Sequence, residues 1–62
     1  MKLIIKKTND ERWDFVADAL KGETGVITAT EIRNGIVHYN ANFPVYGGLF
    51  VGIPASVVEV VE

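Results

Sequence analysis

Gly47-Gly48-Leu49-Phe50-Val51-Gly52-Ile53-Pro54-Ala55-Ser56-Val57-Val58-Glu59-Val60-Val61 is the stretch that decides the reading of the whole chain. Leu49-Phe50-Val51 begins a strand, since aromatic and branched side chains fit a pleated, half-buried surface. Pro54 has no amide hydrogen and a φ already near −65°, which suits the first turn of a short helix continued by Ala55-Ser56-Val57. Residues 58–62, Val-Glu-Val-Val-Glu, then form a final strand. A strand, a single helical turn and a closing strand form the typical ending of a small β-barrel.

Upstream lies a hairpin. Asn34-Gly35 is a strong two-residue turn signal, because both central positions of the favoured turn need positive φ. It is flanked by residues 25–32, rich in Val, Ile and Thr, and by residues 36–41. Between the hairpin and the final stretch, residues 42–48 (Asn-Phe-Pro-Val-Tyr-Gly-Gly) read as a loop, because asparagine, proline and paired glycines break regular structure. At the other end, residues 1–7 carry Leu3-Ile4-Ile5 between lysines and read as the first strand.

Residues 8–22 support two readings. Thr8-Asn9-Asp10-Glu11 has the form of a capping box. Trp13, Val16, Ala17 and Leu20 follow with helical spacing, and Gly22 stands where a helix would stop. Trp13, Phe15, Ala17 and Ala19 also alternate with Asp14 and Asp18, which is strand spacing, and Phe15 falls on the polar side of the helical wheel. A long first excursion with helix at about 10–20 is the expectation. The fold class is therefore mainly β: five short strands in a small barrel, a form that removes exposed edges. The alternative is an α+β fold with one helix packed on an antiparallel sheet.

The chain resembles the Src-homology-3-like (SH3-like) small barrels of bacteria and phages. Gly52-Ile53-Pro54-Ala55-Ser56-Val57-Val58 stands where those barrels carry a Gly-x-Ile-Pro-like step, a one-turn helix and a Val-rich last strand. Gly22-x-x-Gly25-Val26-Ile27, followed by a hairpin and a Val-x-Tyr strand, is similar to KOW-type modules and to the small photosystem I stromal subunit. The resemblance spans most of residues 1–62, with residues 8–21 as the long first loop. It implies that the first and last strands pair antiparallel, which sets Lys2, Lys6 and Lys7 near Glu59 and Glu62. Exposed cross-strand pairs of that kind contribute about 0.2–1 kcal/mol each. The proline-binding residues of peptide-binding relatives are absent: the start is Lys2-Leu3-Ile4-Ile5-Lys6-Lys7, and Val57 replaces the tyrosine of the short helix. Proline-rich recognition is not carried over.

Length and composition bound the function. Sixty-two residues make one domain, 1–62, with a small core. No cysteine is present, so neither a disulfide nor a thiolate metal site supports it. A cysteine-free chain with no signal-like or membrane-spanning run reads as soluble and cytoplasmic. The net charge of −2 argues against a general nucleic-acid partner. Five of the six basic residues nevertheless lie within residues 1–21, so Lys2, Lys6, Lys7 and Arg12 are the candidates for that alternative.

No motif carries catalysis. His38 sits in a strand without a nucleophile in context, and Asp10, Glu11, Asp14 and Asp18 lack the dense oxygen pattern and turn glycine of a calcium loop. The glycines match no phosphate loop. Neither an enzyme nor a cofactor or metal is expected. The aromatics stand out, being many for so small a core. Trp13, Tyr39, Asn42, Phe43 and Tyr46 are the candidate binding residues of a non-enzymatic protein-interaction module. Against this stands the reading of Trp13 and Phe43 as plugs of the barrel's open end. A subunit acting through self-association is the remaining alternative, with homo-oligomer formation through a strand edge or the aromatics.

Overall fold

The computed structural model describes residues 1–61, so Glu62 and any pairing expected of it lie outside the described residues. Strand β1 (Lys2–Ile5) leads into helix α1 (Glu11–Ala19). Strands β2 (Gly25–Arg33) and β3 (Ile36–Phe43) follow, then a single 3-10 turn, η1 (Pro44–Tyr46). Strand β4 (Gly48–Pro54), a second 3-10 turn, η2 (Ala55–Val57), and strand β5 (Val58–Val60) complete the order. The five strands form one antiparallel sheet in the order β4-β3-β2-β1-β5. No ladder joins β4 to β5, so the sheet is not closed by hydrogen bonds.

The ambiguous segment is helical. Asn9, at φ 67°, turns the chain so that Asp10 becomes the N-cap and its carboxylate accepts the Arg12 amide at 3.1 Å. This corrects the expected Thr8–Glu11 box. The Thr8 amide instead donates to Asp14 Oδ1 at 3.0 Å. Glu11 and Asp14 place negative charge in the first turn, where the helix dipole favours it. Trp13, Val16, Ala17 and Leu20 face the core, and helical periodicity prevails over the competing alternation. Gly22, at φ 83°, takes the chain out of the helix in a conformation that glycine adopts without strain.

The Asn34-Gly35 turn has the expected positive φ values, 51° and 78°, and closes β2 on β3 with Arg33 opposite Ile36. Farther along this ladder β2 carries one extra residue, Thr28, between the partners of Ala41 and Asn40. On the other side of β3, two β4 residues, Val51 and Gly52, fall opposite the same Asn40. Two bulges therefore meet at Asn40. Its backbone carbonyl accepts the Thr28 hydroxyl at 3.3 Å, and its side-chain carbonyl accepts the Gly52 amide at 3.0 Å. Gly52 stands at φ 74°, which the bulge requires. Bulges increase bend and twist, and here both neighbours of the central strand bend at one level.

The bend is demanded by connectivity. Strands β4 and β5 are the opposite edges of the sheet, and only η2 joins them. In a flat sheet those edges would lie about 19 Å apart, four intervals of about 4.8 Å. Three 3-10 residues rise only about 6 Å. The sheet is therefore strongly curled, and η2 packs against β3 across the interior. Pro54 is the last residue of β4 and the N-cap of η2, one position earlier than expected.

The core is what the curl encloses: Leu3, Ile5, Ala17, Leu20, Ala41, Phe43, Ile53, Val57 and Val58. Asn42 and Phe43 belong to β3, which corrects their expected place in a loop. Phe43 is fully buried and meets Phe50 edge-on, with ring centroids 5.5 Å apart. A Cβ on Gly25 would lie 2.6 Å from the Phe43 ring, so the glycine makes room for the largest core side chain.

Two predictions follow from the packing. Gly25→Ala drives a methyl into the Phe43 ring and is expected to cost about 1–3 kcal/mol in urea unfolding. Asn40→Ala leaves the Gly52 amide unpaired in a partly buried position and is expected to cost about 1–3 kcal/mol, while Asn40→Asp, which keeps the acceptor, loses less.

Candidate functional site

The structure separates the five candidate binding residues. Phe43 is core, with 0% of its surface exposed, and cannot touch a partner in this fold. A β3 that extends to residue 43 points this ring inward beside Ala41, and Gly25 opens the space for it. Trp13 and Tyr39 are half-buried and pack against the core. Asn42 is half-buried on the outer side of the sheet, opposite Val26 on one flank and Leu49 on the other. Tyr46 alone is freely presented, at 54% exposure.

Tyr46 also has a structural contact. Its hydroxyl donates to the Ala19 carbonyl at 3.0 Å, which ties η1 to the C-terminal end of α1. The last turn of α1 has no basic residue, so this hydroxyl supplies a partner that helix carbonyls otherwise seek from water or lysine. The contact joins two distant segments into one surface. One helical turn before Ala19 lies Phe15, the most exposed large hydrophobic residue among those described, at 79%. Val45, beside Tyr46 in η1, is also exposed. Phe15 and Val45 were not among the sequence candidates. The available signal was the place of Phe15 on the polar side of the helical wheel, where no core contact can account for an aromatic ring.

The basic candidates divide as well. Lys6 and Lys7 line a groove of about 390 Å³ between the end of β1 and the C-terminal half of α1, with Lys21 at its rim and Ile5, Ala17 and Leu20 beneath. Lys2 and Arg12 do not line it. Lys7 pairs with Asp18 at 3.4 Å. The expected seam with the last strand is corrected in part. Strands β1 and β5 do pair antiparallel, with Ile4 opposite Glu59, but the ion pairs among the described residues are Lys7–Asp18 and Arg33–Glu31. Helix α1 presents Asp18 to Lys7, and among the described residues no carboxylate of the last strand forms an ion pair with these lysines. Both pairs are largely exposed and contribute about 0–1 kcal/mol.

The acidic residues near α1 have structural uses: Asp10 caps the helix, Asp14 accepts the Thr8 amide and Asp18 holds Lys7. Among the described residues no group of three or more His, Asp or Glu side chains is placed to hold a metal ion. His38 Nδ1 lies 2.9 Å from the Ile36 carbonyl, which requires the proton on that nitrogen. No described helix is long and apolar enough to cross a membrane.

Phe43→Ala is expected to cost about 3–5 kcal/mol. A core of this size supplies about 3–5 kcal/mol in total, so the variant should lack the near-ultraviolet circular dichroism of a packed fold. Tyr46→Phe removes one exposed hydrogen bond and should shift stability by no more than about 1 kcal/mol.

No protein-family model, curated protein or solved structure matches the chain.

Proposed function

We propose that this chain is a small, non-enzymatic protein-interaction module of the cytoplasm, built as an SH3-like barrel. It binds its partner through the surface shared by α1 and η1. The observation that carries the reading is the exposure of two aromatic rings, Phe15 on α1 and Tyr46 on η1, with the Tyr46 hydroxyl bonded to the Ala19 carbonyl one helical turn beyond Phe15. Phe15 contributes nothing to the core, and aromatic anchors dominate protein interfaces. Val45 adds apolar area beside Tyr46. Arg12 lies three residues before Phe15 on α1, and arginine is a further favoured interface residue.

The barrel reading draws support from the strand order β4-β3-β2-β1-β5, from the antiparallel pairing of the first and last strands, and from the single turn that joins β4 to β5. Helix α1 then occupies the long first loop of the barrel, and the partner surface combines the first and third loops.

The test is partner capture from extract with immobilised protein. The Phe15→Gln, Val45→Gln double variant changes only exposed positions and should alter stability by no more than about 0.5 kcal/mol per site. It is expected to lose at least about tenfold in affinity, or about 1.4 kcal/mol. Equal capture by the folded double variant would overturn the proposal.

A further inference from the structure

We infer that the groove between β1 and the end of α1 binds a small amphipathic carboxylate, an aliphatic acid whose tail lies on the groove floor and whose head meets lysine. The inference does not rest on the α1–η1 reading above. The groove has a definite origin. The β1–β2 ladder stops at Leu3 opposite Gly25. The residue that would extend it, Glu23, gives its amide to the Leu20 carbonyl at 2.9 Å instead. The two segments therefore part, and about 390 Å³ opens between them, at the lower end of small-molecule pockets.

Charge complementarity selects the occupant. The floor is apolar, from Ile5, Ala17 and Leu20, but the lining as a whole is cationic. Three of the six basic residues of this net-acidic chain, Lys6, Lys7 and Lys21, line the groove, against Asp18 and Glu23. The Lys7–Asp18 pair takes one of each sign. Lys6 and Lys21 form no ion pair among the described residues, which leaves two ammonium groups and one carboxylate, Glu23, on the lining. A ligand with a single negative charge restores the balance. The long lysine stems can flank its apolar tail while the ammonium groups reach its head.

The backbone favours an anion as well. The Ile27 amide donates to the Met1 carbonyl, and the Lys6 amide donates to the Val57 carbonyl. Odd-numbered residues of β1 therefore turn their amides towards β2 and even-numbered ones towards β5. The Ile5 amide points to the groove side, and no hydrogen bond among the described residues uses it. The carbonyls at the end of α1, which would repel an anion, are engaged. That of Asp18 accepts the Lys21 amide at 3.4 Å, that of Ala19 the Tyr46 hydroxyl at 3.0 Å, and that of Leu20 the Glu23 amide. A carboxylate head complements an unused amide beside ammonium groups. An inorganic anion would leave the apolar floor uncovered, and a cationic amphiphile would face the lysine excess.

Titration of the isotope-labelled whole chain with octanoate, followed by nuclear magnetic resonance, tests the inference. The expected Kd is about 1 mM, with shifts centred on the amides of Ile5, Lys6, Lys21 and Gly22. Octanamide, which keeps the shape without the charge, binds at least about threefold more weakly, as does acetate, which lacks the tail. The Lys6→Gln, Lys21→Gln double variant changes only exposed positions and weakens octanoate binding at least about threefold. Glu23→Gln removes the opposing carboxylate and strengthens binding at least about twofold. Absence of groove shifts at about 10 mM octanoate overturns the inference. Octylamine binding as tightly as octanoate, or an unchanged affinity in the folded double variant, also overturns it. If the double variant fails to fold, Glu23→Gln decides, since affinity that does not rise counts against a charge-selected site.

Discussion

Asn40 is the point on which this structure turns. It lies in the middle strand of three, and an extra residue on each neighbouring strand falls beside it. Its backbone carbonyl and its side-chain carbonyl hold those two irregularities in place. An amide side chain is suited to this role because its oxygen can accept a backbone N–H that the bulge has taken out of the ladder. Without the bend, a three-residue turn could not carry the chain from one edge of a five-stranded sheet to the other. The curl in turn makes the core, since it brings Ile53 and Val57 over Leu3, Ala41 and Phe43.

So small a core accounts for the fate of the aromatic residues. Phe43 fills the centre and requires a glycine at position 25, while Phe50 meets its edge. Trp13 and Tyr39 cover the flanks of the core, half in and half out. After these, Phe15 and Tyr46 remain outside. A domain of this size exposes a large share of its apolar area in any case. The placement of Tyr46 is nevertheless specific, because its hydroxyl bonds the Ala19 carbonyl twenty-seven residues away.

Charge is segregated along the chain, and the fold partly undoes this by setting the Arg33 guanidinium beside Gly52 of β4. The stretch from Lys2 to Lys21 carries five of the six basic residues, and Asp10, Asp14 and Asp18 are occupied with capping, a turn and an ion pair. The strands and turns from β3 to η2 are free of formal charge apart from what His38 can carry.

Local chemistry made much of the fold legible in the sequence. Asn34-Gly35 specifies its own turn, branched residues specify the strands around it, and Trp13, Val16, Ala17 and Leu20 mark a helical face. Antiparallel pairing of the first and last strands was also expected, but from family resemblance. The double bulge was not legible, because Thr28, Asn40 and Gly52 are ordinary strand and turn residues until three strands lie side by side. Phe43 precedes a proline in a stretch full of breakers, which describes a loop, and only the register of β3 turns its ring inward. Phe15 was visible as an anomaly on a helical wheel, but the tie of η1 to the end of its helix depends on a contact between residues 19 and 46. The sequence by itself determined the Asn34-Gly35 turn and the strands that flank it, because those preferences act between near neighbours. Tertiary structure alone decided which aromatics are core and which are surface, because burial depends on how a curled sheet closes over them.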